Sequence, residues 1–109
     1  MLEALLGNKT KEKVLFSLLT RKEVYARNIA TVFDLNLLPV QNQFKNLEKA
    51  GIIISRLKGR TRLYSFNLRY PFLIELKALL SKALSFVPEK EQGIYLIGRQ
   101  RPRRQGKPF

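Results

Sequence analysis

Apolar side chains return every three or four positions in two segments near the N-terminus, as one face of an amphipathic helix requires. The members are Val14, Leu15, Leu18 and Leu19 in the first segment and Tyr25, Ile29, Ala30 and Phe33 in the second. A shorter apolar cluster precedes them and predicts a helical turn or two that ends at Gly7: Leu2, Leu5 and Leu6. The pattern therefore predicts a short helix and two longer ones, with a loop over residues 20–23.

A further helix is predicted after a short turn. Asn36 is a suitable N-cap residue, and Pro39 falls in the first helical turn, where its missing N–H costs no hydrogen bond. Three apolar residues then follow at i, i+4 and i+7 and are expected to face inward: Val40, Phe44 and Leu47. Gly51 is expected to end the helix in the left-handed conformation that glycine tolerates.

The spacing of apolar residues is no longer that of a helix after this segment. Residues 52–57 and 61–67 have the composition of two strands, and Lys58-Gly59 between them is a turn signal. Pro71 restarts a helical pattern that continues to about Phe86. The order of elements predicts a mainly α protein with a β-hairpin wing. This is a winged helix-turn-helix, with a three-helix core, a two-stranded wing and a C-terminal dimerisation helix.

We expect this domain to span residues 1–87, with the dimerisation helix at about 70–87. Residues 88–109 are predicted to form a flexible basic tail, in which the segment from Gly93 to Gly98 reads as a short strand. The tail contains five cationic residues beyond that strand, namely Arg99, Arg101, Arg103, Arg104 and Lys107. It is either an arm that adds non-specific affinity for DNA or a solvated end without a role.

The amino-acid composition limits the classes of partner that the chain is expected to bind. At 109 residues the chain can form one domain with a modest core. Its 21 Lys and Arg against 8 Asp and Glu give a net charge of +13, which favours a polyanionic partner, nucleic acid before an anionic membrane surface. The chain has no Cys and no His, and no apolar run approaches the length of a membrane span. We expect a cytoplasmic protein without a signal peptide, metal or cofactor.

The outward face of the helix after Asn36 carries residue types that read bases in DNA. Gln and Asn pair with adenine in the major groove, and an apolar side chain contacts the thymine methyl group. The predicted base-reading residues are Leu38, Gln41, Asn42 and Lys45, and Lys49 is predicted to hold a phosphate. Such residues also occur on ordinary surface helices, so their position between a short helix and a hairpin carries the prediction.

The predicted wing is strongly basic. Four cations without an intervening acid are predicted to contact phosphates: Arg56, Lys58, Arg60 and Arg62. Strand alternation places these side chains broadly on one side of the hairpin, subject to the turn. The tip could also enter a minor groove. The alternative is an edge hairpin that its charges protect against aggregation.

The last predicted helix has a wider apolar surface than one core-facing stripe requires. We therefore expect a homodimer, formed through Leu2, Leu5, Leu6, Phe72, Leu76, Leu79, Leu80, Ala83 and Phe86. The alternative is that the tail folds back over this surface. Two-fold symmetry would place two recognition helices roughly 34 Å apart on DNA. A pocket for an effector would lie between this helix and the core, where the sequence offers no polar cluster that points to a ligand.

Three motifs resemble the ArsR-like branch of winged helix-turn-helix transcriptional regulators over roughly residues 1–86. They are Asn28-Ile29-Ala30, the segment from Phe44 to Gly51 (FKNLEKAG), and Gly59-Arg60-Thr61-Arg62-Leu63-Tyr64. The resemblance implies a homodimeric repressor of transcription that binds double-stranded DNA. Many such proteins sense metals through Cys and His, and this chain has neither, so we expect no metal sensing.

The segment that begins at Leu68 is also similar to winged-helix proteins associated with minimal nucleotidyltransferases. The later GIYLIG sequence resembles the strand that opens the enzyme domain there, but Arg99 stands where Ser is expected and no Asp follows Asp34. Metal-assisted nucleotidyl transfer needs paired carboxylates, so we do not expect an enzyme. An alternative function is a winged-helix module that binds an acidic protein or RNA, in connection with a nucleotidyltransferase system.

Overall fold

The computed structural model describes residues 1–100, with side chains as far as residue 95. Over this range the chain forms six helices and one two-stranded antiparallel sheet. The helices are α1 (Glu3–Leu6), α2 (Lys9–Arg21), α3 (Ala26–Val32), α4 (Leu37–Lys49), α5 (Leu73–Ser85) and α6 (Glu89–Gln100). The strands are β1 (Ile53–Lys58) and β2 (Thr61–Phe66). These elements form the predicted winged helix fold.

The ends of α1, α2 and α4 follow from local sequence. Gly7 ends α1 with φ +98°, and the Asn8 side chain caps α2 by accepting a hydrogen bond of 2.6 Å from the Lys11 N–H. Asn36 is the N-cap residue of α4 as predicted, although its side chain makes no capping hydrogen bond.

The C-terminus of α4 ends in a Schellman motif. Gly51 has φ +83°, its N–H donates to the Glu48 carbonyl, and the Ile52 N–H donates to the Leu47 carbonyl. The left-handed residue turns the chain directly from the helix into β1. Gly51 therefore fixes the angle between α4 and the wing.

The hairpin turns through Gly59 and Arg60, with Lys58 opposite Thr61 and Ile53 opposite Phe66. Gly59 has φ +66°, which a side chain would disfavour at this turn position. Val24, in the loop between α2 and α3, forms a further antiparallel bridge with Tyr64 on the free edge of β2. The loop before α3 is thereby held against the wing.

The core lies around α2, which packs against α1, α4, α5 and α6. One buried cluster joins these helices to the inner face of the hairpin. Its largest fully buried side chains include Phe16, Phe44, Leu15, Leu18, Ile29, Ile53 and Leu80. The core therefore joins α4 and the wing to α2.

The predicted strand from Gly93 to Gly98 is wrong, because these residues belong to α6. Pro88 precedes the helix and Glu89 and Glu91 occupy its first turn, where carboxylates favour a helix start. Tyr95 is buried between the rings of Phe16 and Phe33, at centroid distances of 5.4 and 5.1 Å. The helix packs on α2 and α3, so residues 89–95 are part of the fold and not of a flexible tail. The predicted basic residues Arg101, Arg103, Arg104 and Lys107 lie outside the described residues, as does the Arg99 side chain.

Candidate nucleic-acid interface

The buried and exposed faces of α4 are the ones that the spacing of its apolar residues predicts. Val40, Phe44 and Leu47 are buried against the core. Every predicted DNA-contacting residue of this helix is exposed, namely Leu38, Gln41, Asn42, Lys45 and Lys49. Leu38 is 62 % exposed. The helix therefore presents a polar surface with one apolar side chain at its N-terminal end.

A cleft of about 410 Å³ separates this exposed face from the wing. Its walls come from the start of α3, from α4, and from the turn and inner face of the hairpin. Ten residues line it: Tyr25, Ala26, Arg27, Leu37, Gln41, Lys45, Arg60, Thr61, Arg62 and Tyr64. Four of them are cations and none is a carboxylate, so the cleft is strongly electropositive.

The cations of the cleft stand on both of its sides. Lys45 comes from α4, while Arg60 and Arg62 come from the wing, and Arg27 from the second position of α3. Arg27 and Tyr25 were not among the predicted site residues. The sequence alone gives little indication of these two residues. They reach the cleft because the Val24–Tyr64 bridge brings the loop before α3 to the wing, and this is a contact between segments far apart in the chain.

Arg62 is held over the cleft by hydrogen bonds. Its guanidinium donates to the Ser55 hydroxyl at 3.0 Å, and that hydroxyl donates to a Glu48 carboxylate oxygen at 2.7 Å. The chain of hydrogen bonds joins β2, β1 and α4. Arg62 is therefore positioned relative to α4 and not only relative to its own strand.

An aromatic pair forms a second link between α4 and the wing. The rings of Phe44 and Tyr64 are stacked, with centroids 4.3 Å apart and an interplanar angle of 18°. Burial raises the pKa of the Tyr64 phenol above its ordinary value. The Tyr64 ring thus closes the floor of the cleft in its neutral form.

The predicted wing cations do not lie on one side of the hairpin. The cross-strand register places Arg56 opposite Leu63 and Lys58 opposite Thr61 on the outer face, whereas Arg62 shares the inner face with Tyr64. On the outer face the Arg56 guanidinium donates to one Glu23 carboxylate oxygen, at 3.1 and 2.8 Å. Arg56 is therefore paired with Glu23 at the surface, and Arg60 and Arg62 are the wing cations that line the cleft.

The residues of the predicted dimer surface differ in their exposure, and some are buried within their own chain. Leu80 and Ala83 are 0 % and 6 % exposed and belong to the core of their own chain, because the inner side of α5 packs on α2. The remaining residues are accessible to different degrees. Leu5, Phe72, Leu79 and Phe86 are exposed, and Leu2, Leu6 and Leu76 are half-buried.

Neither a metal-ligand cluster nor a membrane span occurs in the described part of the chain. Among residues 1–95, no three His, Cys, Asp or Glu side chains are grouped as a metal ion would require. No described helix has both the length and the apolar character needed to cross a membrane.

The fold is also found in a solved structure. The chain is similar to ZitR of Lactococcus lactis, in an apo form of a mutant with one cysteine and one histidine replaced by alanine. The similarity has a TM-score of 0.54 at 19 % sequence identity, and covers 85 % of this chain and 80 % of the ZitR chain. No protein-family model matches the chain, and no curated protein matches it. The likeness shows the fold, so the function must be argued from the cleft.

Proposed function

We propose that this protein is a transcription regulator that binds double-stranded DNA as a homodimer, without sensing metals and without enzymatic activity. The observation that carries the proposal is the cleft between α4 and the wing. It combines cations on both walls with a lining that contains Gln41 and no carboxylate, and the exposed Asn42 lies next to Gln41 on α4. A helix beside a basic hairpin fits a duplex, whose major groove admits the helix while phosphates flank it.

The cleft suggests a division of roles. Gln41 and Asn42 read bases in the major groove together with Lys45, and Leu38 contacts a thymine methyl group. The phosphates are held by Lys49 on α4, by Lys58, Arg60 and Arg62 on the wing, and by Arg27 at the start of α3. Arg56 has a smaller role, since Glu23 already accepts its hydrogen bonds.

The exposed side of α5 supports a homodimer. Phe72, Leu79 and Phe86 lie seven residues apart and are 63 %, 39 % and 68 % exposed, and half-buried Leu76 lies between the first two. This spacing alternates steps of four and three, as in the seam of a coiled coil. A second copy that packs its α5 along the same seam would cover these side chains.

Three parts of the proposal, on repression, metal sensing and catalysis, rest on residue types and on the family resemblance. We propose that the protein represses transcription, because it resembles ArsR-like regulators, most of which are repressors. The absence of Cys and His removes the ligands that soft metal ions prefer. Catalysis is not proposed, because the cleft lining has no carboxylate, His or Cys that could act as a general acid or base.

Selection of bound sequences from a random pool of duplexes tests the function directly. We expect enrichment of a palindromic consensus whose half-sites are one helical turn apart. Recovery of no sequence above the bulk pool would overturn sequence-specific binding. Preferential binding of single-stranded RNA or of an acidic protein over every duplex would support the alternative of an interaction module.

The division of roles predicts two kinds of variant. Replacing Lys58, Arg60 or Arg62 by Gln should weaken binding to every duplex and reduce the slope of log K against log salt by about one for each phosphate that is no longer neutralised. Replacing Gln41 or Asn42 by Ala should instead relax sequence preference, at a cost of about 1–3 kcal/mol at the affected base pair.

Fluorescence anisotropy with a selected and a scrambled duplex at several salt concentrations measures both effects. Arg69→Gln is a matched control, because Arg69 is an exposed arginine that lies outside the wing strands, their turn and the lining of the cleft. Identical behaviour of the wing and helix variants would refute the division of roles, even if DNA binding itself is retained.

A further inference from the structure

A second cavity, of about 750 Å³, lies between the C-terminal end of α2, the loop that follows it, β2 and the first half of α5. It shares no residue with the cleft between α4 and the wing. Its lining consists of Leu18, Leu19, Arg21, Lys22, Glu23, Ser65, Phe66, Leu68 and Lys77. The cavity lies between the core and the last helix of the predicted domain, where no polar cluster was expected from the sequence.

The walls of this cavity divide into an apolar and a cationic part. Four side chains are apolar, namely Leu18, Leu19, Phe66 and Leu68, and three are cations, namely Arg21, Lys22 and Lys77. The single acid of the lining, Glu23, is engaged by Arg56 through its Oε2 atom. Across the described part of the chain, none of the three cations has a carboxylate within salt-bridge distance.

Arg21 is the most informative of these residues. One of its terminal nitrogens donates to the Asn28 side-chain oxygen, but its Nε atom is buried and has no acceptor among the described residues. Burial lowers the pKa of the guanidinium from its ordinary value. Arg21 therefore lines the cavity as a cation that no carboxylate of the described residues pairs with, so an anion in the cavity would be attracted to it.

Lys77 joins the two parts of the cavity. Its Nζ atom lies 5.6 Å from the centroid of the Phe66 ring, so an ammonium group stands directly beside an apolar wall. An anion on Lys77 would therefore place any attached hydrocarbon or aromatic group against Phe66. Sites for small molecules combine such apolar walls with a few polar groups that fix orientation.

We propose that this cavity binds a small organic carboxylate with an apolar body. The carboxylate is held by Arg21, Lys22 and Lys77, and the body packs against Phe66 and the leucines of α2. The proposal does not rest on DNA binding, since the cavity and the cleft have separate linings.

The loop between the two sites offers a route for communication. Glu23 lines the cavity and Tyr25 lines the cleft, while Val24 between them is bridged to Tyr64. A ligand that shifts this loop would act on both linings at once.

Titration of the ¹⁵N-labelled full chain with sodium benzoate, followed by NMR at constant ionic strength, tests the site without DNA. We expect saturable shifts of the amide signals of residues 18–23, 65–68 and 77. Benzyl alcohol and benzylammonium serve as neutral and cationic comparators with the same ring, and acetate as an anion without one. Each comparator should bind about tenfold more weakly or worse, since it lacks either the charge-assisted hydrogen bonds or the apolar contact.

Two variants locate the anion, with a third as control. Lys77→Gln and Lys22→Gln should each weaken benzoate binding several-fold, and about tenfold where a charge-assisted hydrogen bond is removed. Lys82→Gln should leave it unchanged, since Lys82 is an exposed lysine of the same helix outside the cavity. A well-dispersed spectrum shows that each variant is folded.

Three results would overturn the proposal. One is equal binding of benzoate and benzyl alcohol, which would mean an apolar cavity without anion recognition. Another is an equal decrease of affinity in all three lysine variants, which would mean that the loss of net positive charge, and not the loss of a specific contact, weakens benzoate binding. The third is the lack of saturable shifts at benzoate concentrations on the order of 10 mM, well above the Kd of even a weak site. None of these results bears on DNA binding by the cleft.

Discussion

The Ser55 hydroxyl stands between Arg62 and Glu48, accepting from one and donating to the other. Replacing it by Ala leaves the charge of the protein unchanged and frees the Arg62 side chain from α4. We expect Ser55→Ala to weaken DNA binding by about two- to tenfold, in line with the net contribution of roughly 0.5–1.5 kcal/mol from one hydrogen bond. Anisotropy with the selected duplex measures the change.

The opposite face of the hairpin supplies the control. Ser65 is half-buried on β2 but does not line the cleft, so Ser65→Ala should bind DNA as the parent does. The salt slope of Ser55→Ala should also be nearly unchanged, since Arg62 still reaches a phosphate, though less often. An equal decrease of affinity in the two serine variants would mean that the relay does not position Arg62.

The burial of Tyr95 predicts a dependence of stability on pH. Desolvation, together with the charges of Glu12 and Glu91, raises the pKa of its phenol well above the ordinary value. The contribution to stability is therefore complete below the unfolded-state pKa, about 10, and is lost as pH rises toward the folded-state pKa. The free energy of unfolding should fall above about pH 10, by about 1.4 kcal/mol per pH unit for this tyrosine.

Urea denaturation of the parent and of Tyr95→Phe over this pH range checks the prediction. Phe keeps the ring contacts with Phe16 and Phe33 but has no ionisable group. The variant should lose part of the alkaline slope and keep the part due to Tyr64, whose pKa is also raised by burial. Parallel curves for the two proteins would show that Tyr95 ionises equally in the folded and unfolded states.

Residue positions within a single helix were predictable, while positions across the hairpin were not. The period of α4 alone determines that Val40, Phe44 and Leu47 face inward. In the hairpin, however, each even-numbered residue of one strand pairs with an odd-numbered residue of the other. Arg56 and Arg62 therefore take opposite faces, although simple alternation along the sequence would place them together. Register depends on the turn, and the turn lies at Gly59-Arg60.

At the scale of elements, α6 is the part of the fold that the sequence pattern misassigned. A run of β-branched and aromatic residues after Gly93 favours a strand in isolation. The helix forms because Glu89 and Glu91 occupy its first turn after Pro88, where carboxylates are favourable, and because the Tyr95 ring packs against Phe16 and Phe33. Tertiary packing of this kind overrides local propensity, and a single sequence does not reveal it.

The role of α6 in the fold can be measured through Tyr95. Its replacement by Ala removes a buried ring and should lower the free energy of unfolding by about 3–5 kcal/mol. Leu68→Ala is the comparison, because Leu68 is 81 % exposed and its removal should change stability by no more than about 0.5 kcal/mol. Similar small effects in both variants would mean that α6 does not contribute to the core in solution.

At the scale of the whole molecule, the cations of the cleft and the apolar seam of α5 belong to different elements. The cations lie on α3, α4 and the wing, and the seam runs along α5, although α4 and the wing also expose the apolar residues Leu38, Ile54 and Leu57. The excess of positive charge follows from composition, but its concentration around an acid-free cleft depends on the fold. In the proposed function, the side formed by α4 and the wing binds DNA, and the exposed side of α5 binds a second copy.

The seam on α5 yields a prediction that joins assembly to DNA binding. Leu79→Glu places a charge in the centre of the seam, where a second copy would have to bury it, so the dimer should dissociate. Light scattering should then give the mass of one chain, 12.7 kDa, whereas the proposed dimer of the parent should give twice that value. Ile74→Glu is the matched control, because Ile74 is an exposed apolar residue of the same helix outside the seam.

The DNA affinities of these variants separate the dimer from the fold of the monomer. A palindromic duplex lets both recognition helices bind at once, so Leu79→Glu should lose most of its affinity for it. A duplex with one half-site engages a single helix and should bind the variant about as well as the parent. Ile74→Glu should match the parent on both duplexes. Failure of Leu79→Glu to bind the half-site would indicate damage to the domain, and retention of the dimer mass would place the interface elsewhere than on α5.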